Sequence, residues 1–510
     1  MDETDSSLRK IAKSTIILII GIIISKLLGL VYRVLVARTG TEYYGLFSLG
    51  LAVLGISVTI ASLGLNVGIV RYVSYYKGKQ EFGNIKEIIL FAIKTVFFWS
   101  IILSLIIFIF SDKIAINVFH DIRLSLVLKV ISFIIPIASL REIFLSLIRA
   151  FQKTQYEIYS KNIFENIIKI ILTATFIFLG FKLFGIVMAY SIALFLTFIL
   201  TCYFIEKKVF SVFKTKSAFT PIKKELIFYS LPLLFSSLIF SIIIWTDTSM
   251  LGFFKDASQV GIYNAAIPIA SMLFIFPYAL MYLFIPVLTE LYSQNKKESF
   301  ASIHKTVTKW ILLANLILLS IFIIIPKQII LLLFGQEYLS GSSALQILTI
   351  GNFLLYLFIS SNEILTILKK TKLIFFNIFI GFILNIILNY FLIPKYGING
   401  AALATSISLF LIALLFTSES YLITKVNPVK IRYFIKIISS FILSFLLTNY
   451  ILKYFITLSN PLIIIFTSMV FCLIYILLLI ITRSFDNEDK MVLKAIKQKI
   501  VSLNFFGNKS

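Results

Sequence analysis

Two cations interrupt the first long apolar run of the chain. Lys26 and Arg33 stand seven residues apart, and seven helical steps of about 100° return to nearly the same face. Gly29 lies between them on that side. Charge at the centre of a bilayer costs roughly 2.5–3.5 kcal/mol on insertion scales, so each cation needs a reason. One reason is a cationic stripe lining a water-filled cavity. There an ammonium and a planar guanidinium would hold a phosphate or pyrophosphate by charge-assisted hydrogen bonds. The other is that Arg33 snorkels to the headgroups while Lys26 pairs with an acid elsewhere.

Further charges stand in later apolar runs. Arg141 and Glu142 are adjacent, so they point about 100° apart and are not expected to neutralise each other on one face. Arg141 is a third candidate for the cavity, and Glu142 one for packing between helices, a gate or ion coupling. Glu363 repeats the Glu142 pattern further along. Glu165 and Lys169 have the spacing of a local ion pair. Asp247 is the only acid in its run. Arg149 and Lys369 sit where snorkelling accounts for them. The two histidines, His120 and His304, fall in connections without ligand spacing. No G-x-x-x-x-G-K-[ST] phosphate loop occurs, which argues against an ATP motor within the chain. No cofactor is implied.

The elements that carry these residues follow from composition. Of the 510 residues 59% are hydrophobic and 14% charged, more apolar surface than a water-soluble core absorbs. Runs of about 20 residues without strand alternation predict membrane-spanning helices, because lipid satisfies no backbone polar group. The reading is an all-α polytopic membrane protein of about 14 spans with both termini cytoplasmic. The net charge of +24 is topological. The cytoplasmic connections and tails hold 33 basic residues and the opposite side eight, Arg38, Lys113, Arg123, Lys182, Lys255, Lys327, Lys395 and Lys453. That asymmetry is the positive-inside rule, with attraction to anionic membrane lipids as a side effect and no nucleic-acid partner required. Cys202 and Cys472 fall inside spans, which argues against a disulfide framework. The first apolar run lacks a small-residue cleavage site and reads as a retained span.

The chain repeats itself. Tyr44-Gly45-Leu46-Phe47 matches Val260-Gly261-Ile262-Tyr263, Ser139 to Ile143 matches Ser360 to Ile364, and Phe184-Gly185-Ile186 matches Tyr396-Gly397-Ile398, at offsets of 216, 221 and 212 residues. Six spans in each repeat make the two parallel, related by an axis near the membrane normal. The expected organisation is an N-terminal lobe at 1–205, a basic cytoplasmic connection at 206–225, a C-terminal lobe at 226–424, and two further helices with a basic tail at 425–510. The 216-residue offset places Asp247 opposite Val31, two residues before Arg33. An acid and a base at matching depth on opposite lobes suggest a gate on the outer side, against the alternative of a carboxylate solvated at the interface.

Ser25-Lys26-Leu27-Leu28-Gly29, Arg33, Ala37-Arg38, Gly40, Tyr44 to Phe47, Gly64 and Arg71 resemble the opening of a known family. It is the polysaccharide-transporter branch of the multidrug, oligosaccharidyl-lipid and polysaccharide flippase superfamily. Leu384-Asn385, Asn389, Ile393-Pro394, Tyr396-Gly397, Gly400 to Ala402 and Ala404-Thr405 resemble the signature of its eleventh and twelfth spans. The resemblance implies alternating access between two lobes, a polyprenyl-phosphate-linked glycan as cargo, a plasma-membrane location, and glycan polymerase or ligase partners. Coupling to a cation gradient or to the membrane potential stays open. The peptidoglycan-precursor (lipid II) flippase is a close alternative. A cation-coupled multidrug exporter would favour acids where Lys26 and Arg33 stand, and a membrane glycosyltransferase needs an acidic outer site, for which the short outer loops offer only scattered acids.

Overall fold

The computed structural model describes residues 21, 23–215, 222–454, 460–486 and 489. Among them every regular element is helical, as a chain without hydrogen-bonding solvent requires. In chain order these are α1 (23–37), α2 (Thr41–Ser62), α3 (Leu65–Gly78), α4 (Phe82–Asn117), α5 (Arg123–Ala150) and the short α6 (Gln155–Glu157). A π-helical segment, Ile158–Phe164, leads into α7 (Glu165–Phe178), followed by α8 (Leu183–Phe204), α9 (Ile222–Phe254), α10 (Ala257–Ala270) and α11 (Ile275–Ser293). Then come α12 (Lys297–Ile324), α13 (Pro326–Leu333), α14 (Gly341–Leu357), α15 (Ile359–Ile367), α16 (Thr371–Thr424), α17 (Ile431–Leu452) and α18 (Asn460–Ile481).

Eleven helices among the described residues are long and apolar enough to cross a bilayer. The difference from about 14 expected spans has two physical sources among the described residues. The 54-residue α16 carries two expected spans, joined at Gly397, whose φ of 55° with ψ of −130° is open to glycine and closed to ordinary side chains. The fifth expected span is interrupted by the seven-residue π segment, and its α7 portion is short. The expected first span, 11–36, lies partly outside the described residues. The second expected span also breaks, at Leu63 and Gly64, both in the left-handed region.

The chain forms two compact units. One comprises 16–268 with 386–404. Its interior is a cluster in which Leu65, Ile69 and Val73 of α3 meet Ile85, Ile88 and Ile89 of α4 and Ile143 and Leu147 of α5. Dispersion and fit hold such a core, because lipid tails remove the hydrophobic drive. In the same unit α2 crosses α10 at Gly45 and Gly261. A Cβ on Gly45 would lie 1.7 Å from the Ala257 carbonyl oxygen, and one on Gly261 would lie 2.0 Å from that of Thr41. Gly45 and Gly261 are separated by the 216-residue repeat offset, and so are Thr41 and Ala257, so the contact is reciprocal, as an axis relating two repeats demands. Only glycine allows backbones this close.

The other unit contains 269–385 and continues from 405. Here one sequence expectation is corrected. His304 lies not in a connection but buried within α12, because the helix extends well ahead of its apolar run, and its ring is 3.2 Å from the Ser360 hydroxyl. The start of the C-terminal segment is fastened to α12 by acids. Lys309 meets Asp486 at 2.8 Å and Asp489 at 2.6 Å, Trp310 donates to Asp489 at 2.7 Å, and Lys430 meets Asp486 at 3.2 Å. Burial opposes ionisation of Asp486, but the lysines and the Asp489 backbone N–H hold its carboxyl down at about 2.

Candidate functional site

The cations of α1 share one face, as their spacing predicts. Lys26 is exposed on the protein surface, close enough to Arg33 for the two charges to act on each other. Arg33 is half-buried, near enough to Tyr44 of α2 for its charge to act on that hydroxyl. That hydroxyl in turn donates to the Asn264 carbonyl of α10 at 3.1 Å. Tyr44 and Asn264 are both buried.

Arg141 and Glu142 of α5 anchor a larger ionic network in the same unit. Arg141 is buried, only 7% exposed, and pairs with Glu165 of α7. Glu165 also accepts from Lys169 at 2.5 Å, one helical turn on. The Lys169 ammonium sits over the Tyr190 ring of α8 at 4.4 Å and the Tyr32 ring of α1 at 5.7 Å, favourable for a desolvated cation. Glu142 meets Lys161 at 3.0 Å and Arg149 at 3.8 Å, while Arg149 binds Glu157 at 3.0 Å. The expectation that Arg141 and Glu142 do not neutralise each other needs correcting. They meet at 3.2 Å, since the long guanidinium arm bridges sideways to its neighbour while its other amino group holds Glu165. The π segment places Lys161 and Glu165 toward α5, and such segments are frequent at functional sites. The network sets four basic groups, Arg141, Arg149, Lys161 and Lys169, against three acids, Glu142, Glu157 and Glu165, and Lys26 and Arg33 add to the positive surplus.

Asp247 of α9 is buried and doubly held. Tyr263 of α10 donates to one carboxylate oxygen at 2.5 Å and Asn389 of α16 to the other at 2.8 Å. Beside it Asn264 and Thr248 exchange hydrogen bonds between side chains. Asp247 is thus tied to α10 through Tyr263, and Tyr44 ties α2 to the same helix. Glu363 on α15 is half-buried and within 3.5 Å of the Asn362 amide, an environment unlike that of Glu142. Tyr32, Lys161 and Tyr190 carry no signal in the sequence, and Tyr44, Tyr263 and Asn389 stand there only within repeat or family motifs, not as partners of a charge. Each joins its charge from another helix or across the π segment, where no fixed spacing announces it.

The profile of the polysaccharide biosynthesis protein family matches residues 11–292, more than half of the chain, and the MatE profile matches residues 232–391. An uncharacterized membrane protein of Methanocaldococcus jannaschii is 26% identical over 72% of this chain and 75% of its own length. A probable low-salt glycan biosynthesis flippase of Haloferax volcanii is 28% identical over 32% of this chain and 35% of its own. A Shigella flexneri protein bearing the name O-antigen transporter is 23% identical over 74% of this chain and 89% of its own. Among solved structures, the inward closed conformation of the lipid II flippase MurJ superposes with a TM-score of 0.72 at 20% identity, covering 91% of this chain and 98% of that one. An inward-facing multidrug MATE transporter superposes with a TM-score of 0.65 at 16% identity, covering 79% and 94%. The chain is a helical membrane protein of the polysaccharide biosynthesis protein family, within the multidrug, oligosaccharidyl-lipid and polysaccharide flippase superfamily.

Proposed function

We propose that this protein moves a polyprenyl-phosphate- or pyrophosphate-linked oligosaccharide from the cytoplasmic to the outer leaflet by alternating access, supplying cell-surface glycan assembly. The observation that carries the proposal is the positive surplus around α1. Lys26 and Arg33 share a face, and the adjoining network already neutralises its own acids. In low dielectric two cations without a carboxylate partner among the described residues attract a diphosphate far more strongly than water-exposed lysines do. Arg141, held by Glu165, is a positioning residue for that region or a third phosphate contact. The flippase and transporter names borne by relatives support the same class. The positive-inside asymmetry supports a plasma-membrane protein with both termini cytoplasmic, beside polymerase or ligase partners.

Drive comes from a cation gradient or the membrane potential. An anion leaving a negative interior gains about 2.3 kcal/mol per elementary charge per 100 mV. Asp247, Glu142 and Glu363 are the acids through which a cation would couple. The MatE match favours a second reading, export of cationic drugs, which the charge of α1 opposes. Deleting the gene and identifying the lipid held on the cytoplasmic face separates the readings. A lipid-linked oligosaccharide supports the proposal, lipid II reassigns the cargo to the peptidoglycan precursor, and drug sensitivity without lipid accumulation supports the exporter.

A further inference from the structure

Two helices of the second unit bring lysines together at one end of a shallow cleft. On α12, Lys305, Thr308, Lys309 and Leu312 follow the i, i+3, i+4, i+7 spacing of a single helix face. On α17 and its N-cap, Lys430, Tyr433, Phe434 and Ile437 repeat that spacing. Both stripes line the cleft, and each begins on a lysine and ends on a buried apolar residue, Leu312 or Ile437. The cleft therefore has a basic mouth where the two helices start and an apolar floor about 10 Å further along them.

The three lysines differ in their surroundings. Lys309 is buried and already committed, its ammonium held by Asp486 and Asp489 and lying 4.8 Å from the centre of the Tyr433 ring. Lys430 shares Asp486, which fixes a second ammonium at the mouth. Lys305 is half-buried and has no carboxylate partner among the described residues. Three lysines against two carboxylates leave a positive surplus. Snorkelling to the headgroups does not account for lysines that acids hold in place. Basic pockets between spanning helices at a membrane surface suit anionic headgroups. The apolar floor selects a lipid over free phosphate, which would gain nothing from it.

We propose that this cleft binds one anionic glycerophospholipid, its phosphate held between Lys305 and Lys430 and an acyl chain lying along Leu312, Phe434 and Ile437. Asp486 and Lys309 are positioning residues that keep Lys430 at the mouth. On the orientation proposed above, the lipid belongs to the cytoplasmic leaflet. The site shares no residue with the α1 cations and stands independently of the cargo reading.

The test is native mass spectrometry of the full-length protein in detergent, titrated with phosphatidylglycerol or with phosphatidylcholine of the same acyl chains. Wild type should bind one phosphatidylglycerol in preference. Lys305→Gln with Lys430→Gln should weaken that binding about tenfold, the loss of roughly one charge-assisted hydrogen bond, and leave phosphatidylcholine unaffected. Lys305→Arg should retain it and Phe434→Ser should weaken it. A phosphatidylglycerol with a photoreactive acyl chain should label residues 305–312 or 428–437. Lys305→Gln alone breaks no ion pair with a described residue and serves should the double variant fold poorly. Wild-type affinity for phosphatidylglycerol in the lysine variants overturns the site, as does labelling confined to other helices. Displacement of the lipid by glycerol phosphate at equal concentration reassigns the cleft to free phosphate. Loss of polyprenyl pyrophosphate binding in the same variants reassigns it to cargo, and either result overturns the phospholipid.

Discussion

At the scale of residues, the charges divide into those that serve cargo and those that serve each other. Lys26→Ala and Arg33→Ala should each lower transport with normal membrane insertion. Arg33→Lys should recover only part, because a point charge lacks the planar fork. Transport in cells expressing each variant, normalised to protein in the membrane, checks this. Glu165 belongs to the second class. Glu165→Gln leaves Arg141 and Lys169 buried without their shared carboxylate, and breaking a buried pair of this kind costs about 3–5 kcal/mol. Thermal unfolding of the detergent-solubilised protein should therefore fall far more for Glu165→Gln than for Arg33→Gln. Equal stability would mean that the network is solvated and unimportant to the fold. The seven-residue spacing of Lys26 and Arg33 and the one-turn spacing of Glu165 and Lys169 were legible in the sequence, since a helix turns both into geometry. Arg141 with Glu165, or Asp247 with Asn389, was not, since helix packing alone makes those pairs.

At the scale of elements, the crossing of α2 and α10 is the most side-chain-intolerant contact in its unit. Gly261→Ala sets a methyl group against the Thr41 carbonyl oxygen. Overpacking of about 1–3 kcal/mol should slow disulfide formation between Thr41→Cys and Ser258→Cys, whose native hydroxyls are hydrogen-bonded, about tenfold without unfolding the protein. An unchanged rate would show that the crossing tolerates a methyl group at this position. The fastening of the C-terminal segment to α12 makes a pH prediction. The Asp486 carboxyl is depressed in the folded protein to about 2, below an unfolded value of about 3.9. Its contribution is thus fully present above pH 5 and is lost as pH falls from about 4 through 2. The melting-temperature difference between wild type and Asp486→Asn should be constant from pH 5 to 8 and close below pH 4. A difference that instead vanishes on raising the pH would contradict the ion pair with Lys309. Hydropathy made the long helices legible, but not where they break. The π segment before Glu165 and the turn at Gly397 depend on neighbours, and a helix that starts ahead of its apolar run hid the burial of His304.

At the scale of the whole molecule, the repeat is the feature that the sequence disclosed most economically. Matching Tyr44–Phe47 to Val260–Tyr263 identified the glycines that meet reciprocally in the structure, because an axis between repeats forces equivalent residues together where it passes. Sidedness is a separate matter of charge. With both termini cytoplasmic, a cysteine at Asp256 should react with an impermeant reagent from outside intact cells, and one at Lys214 should not. Labelling at Lys214 would reverse the orientation and with it the direction of transport. The central claim is that an anionic lipid-linked sugar crosses the membrane by way of the α1 cations. The most direct measurement is the reconstituted protein in vesicles holding a fluorescent polyprenyl-pyrophosphate-linked oligosaccharide, with outer-leaflet label quenched by an impermeant reductant. Wild-type protein should expose a second, slowly accessible pool to quenching, and Lys26→Ala with Arg33→Ala should leave that pool protected. Quenching of the inner pool at the wild-type rate by the double variant would contradict the account.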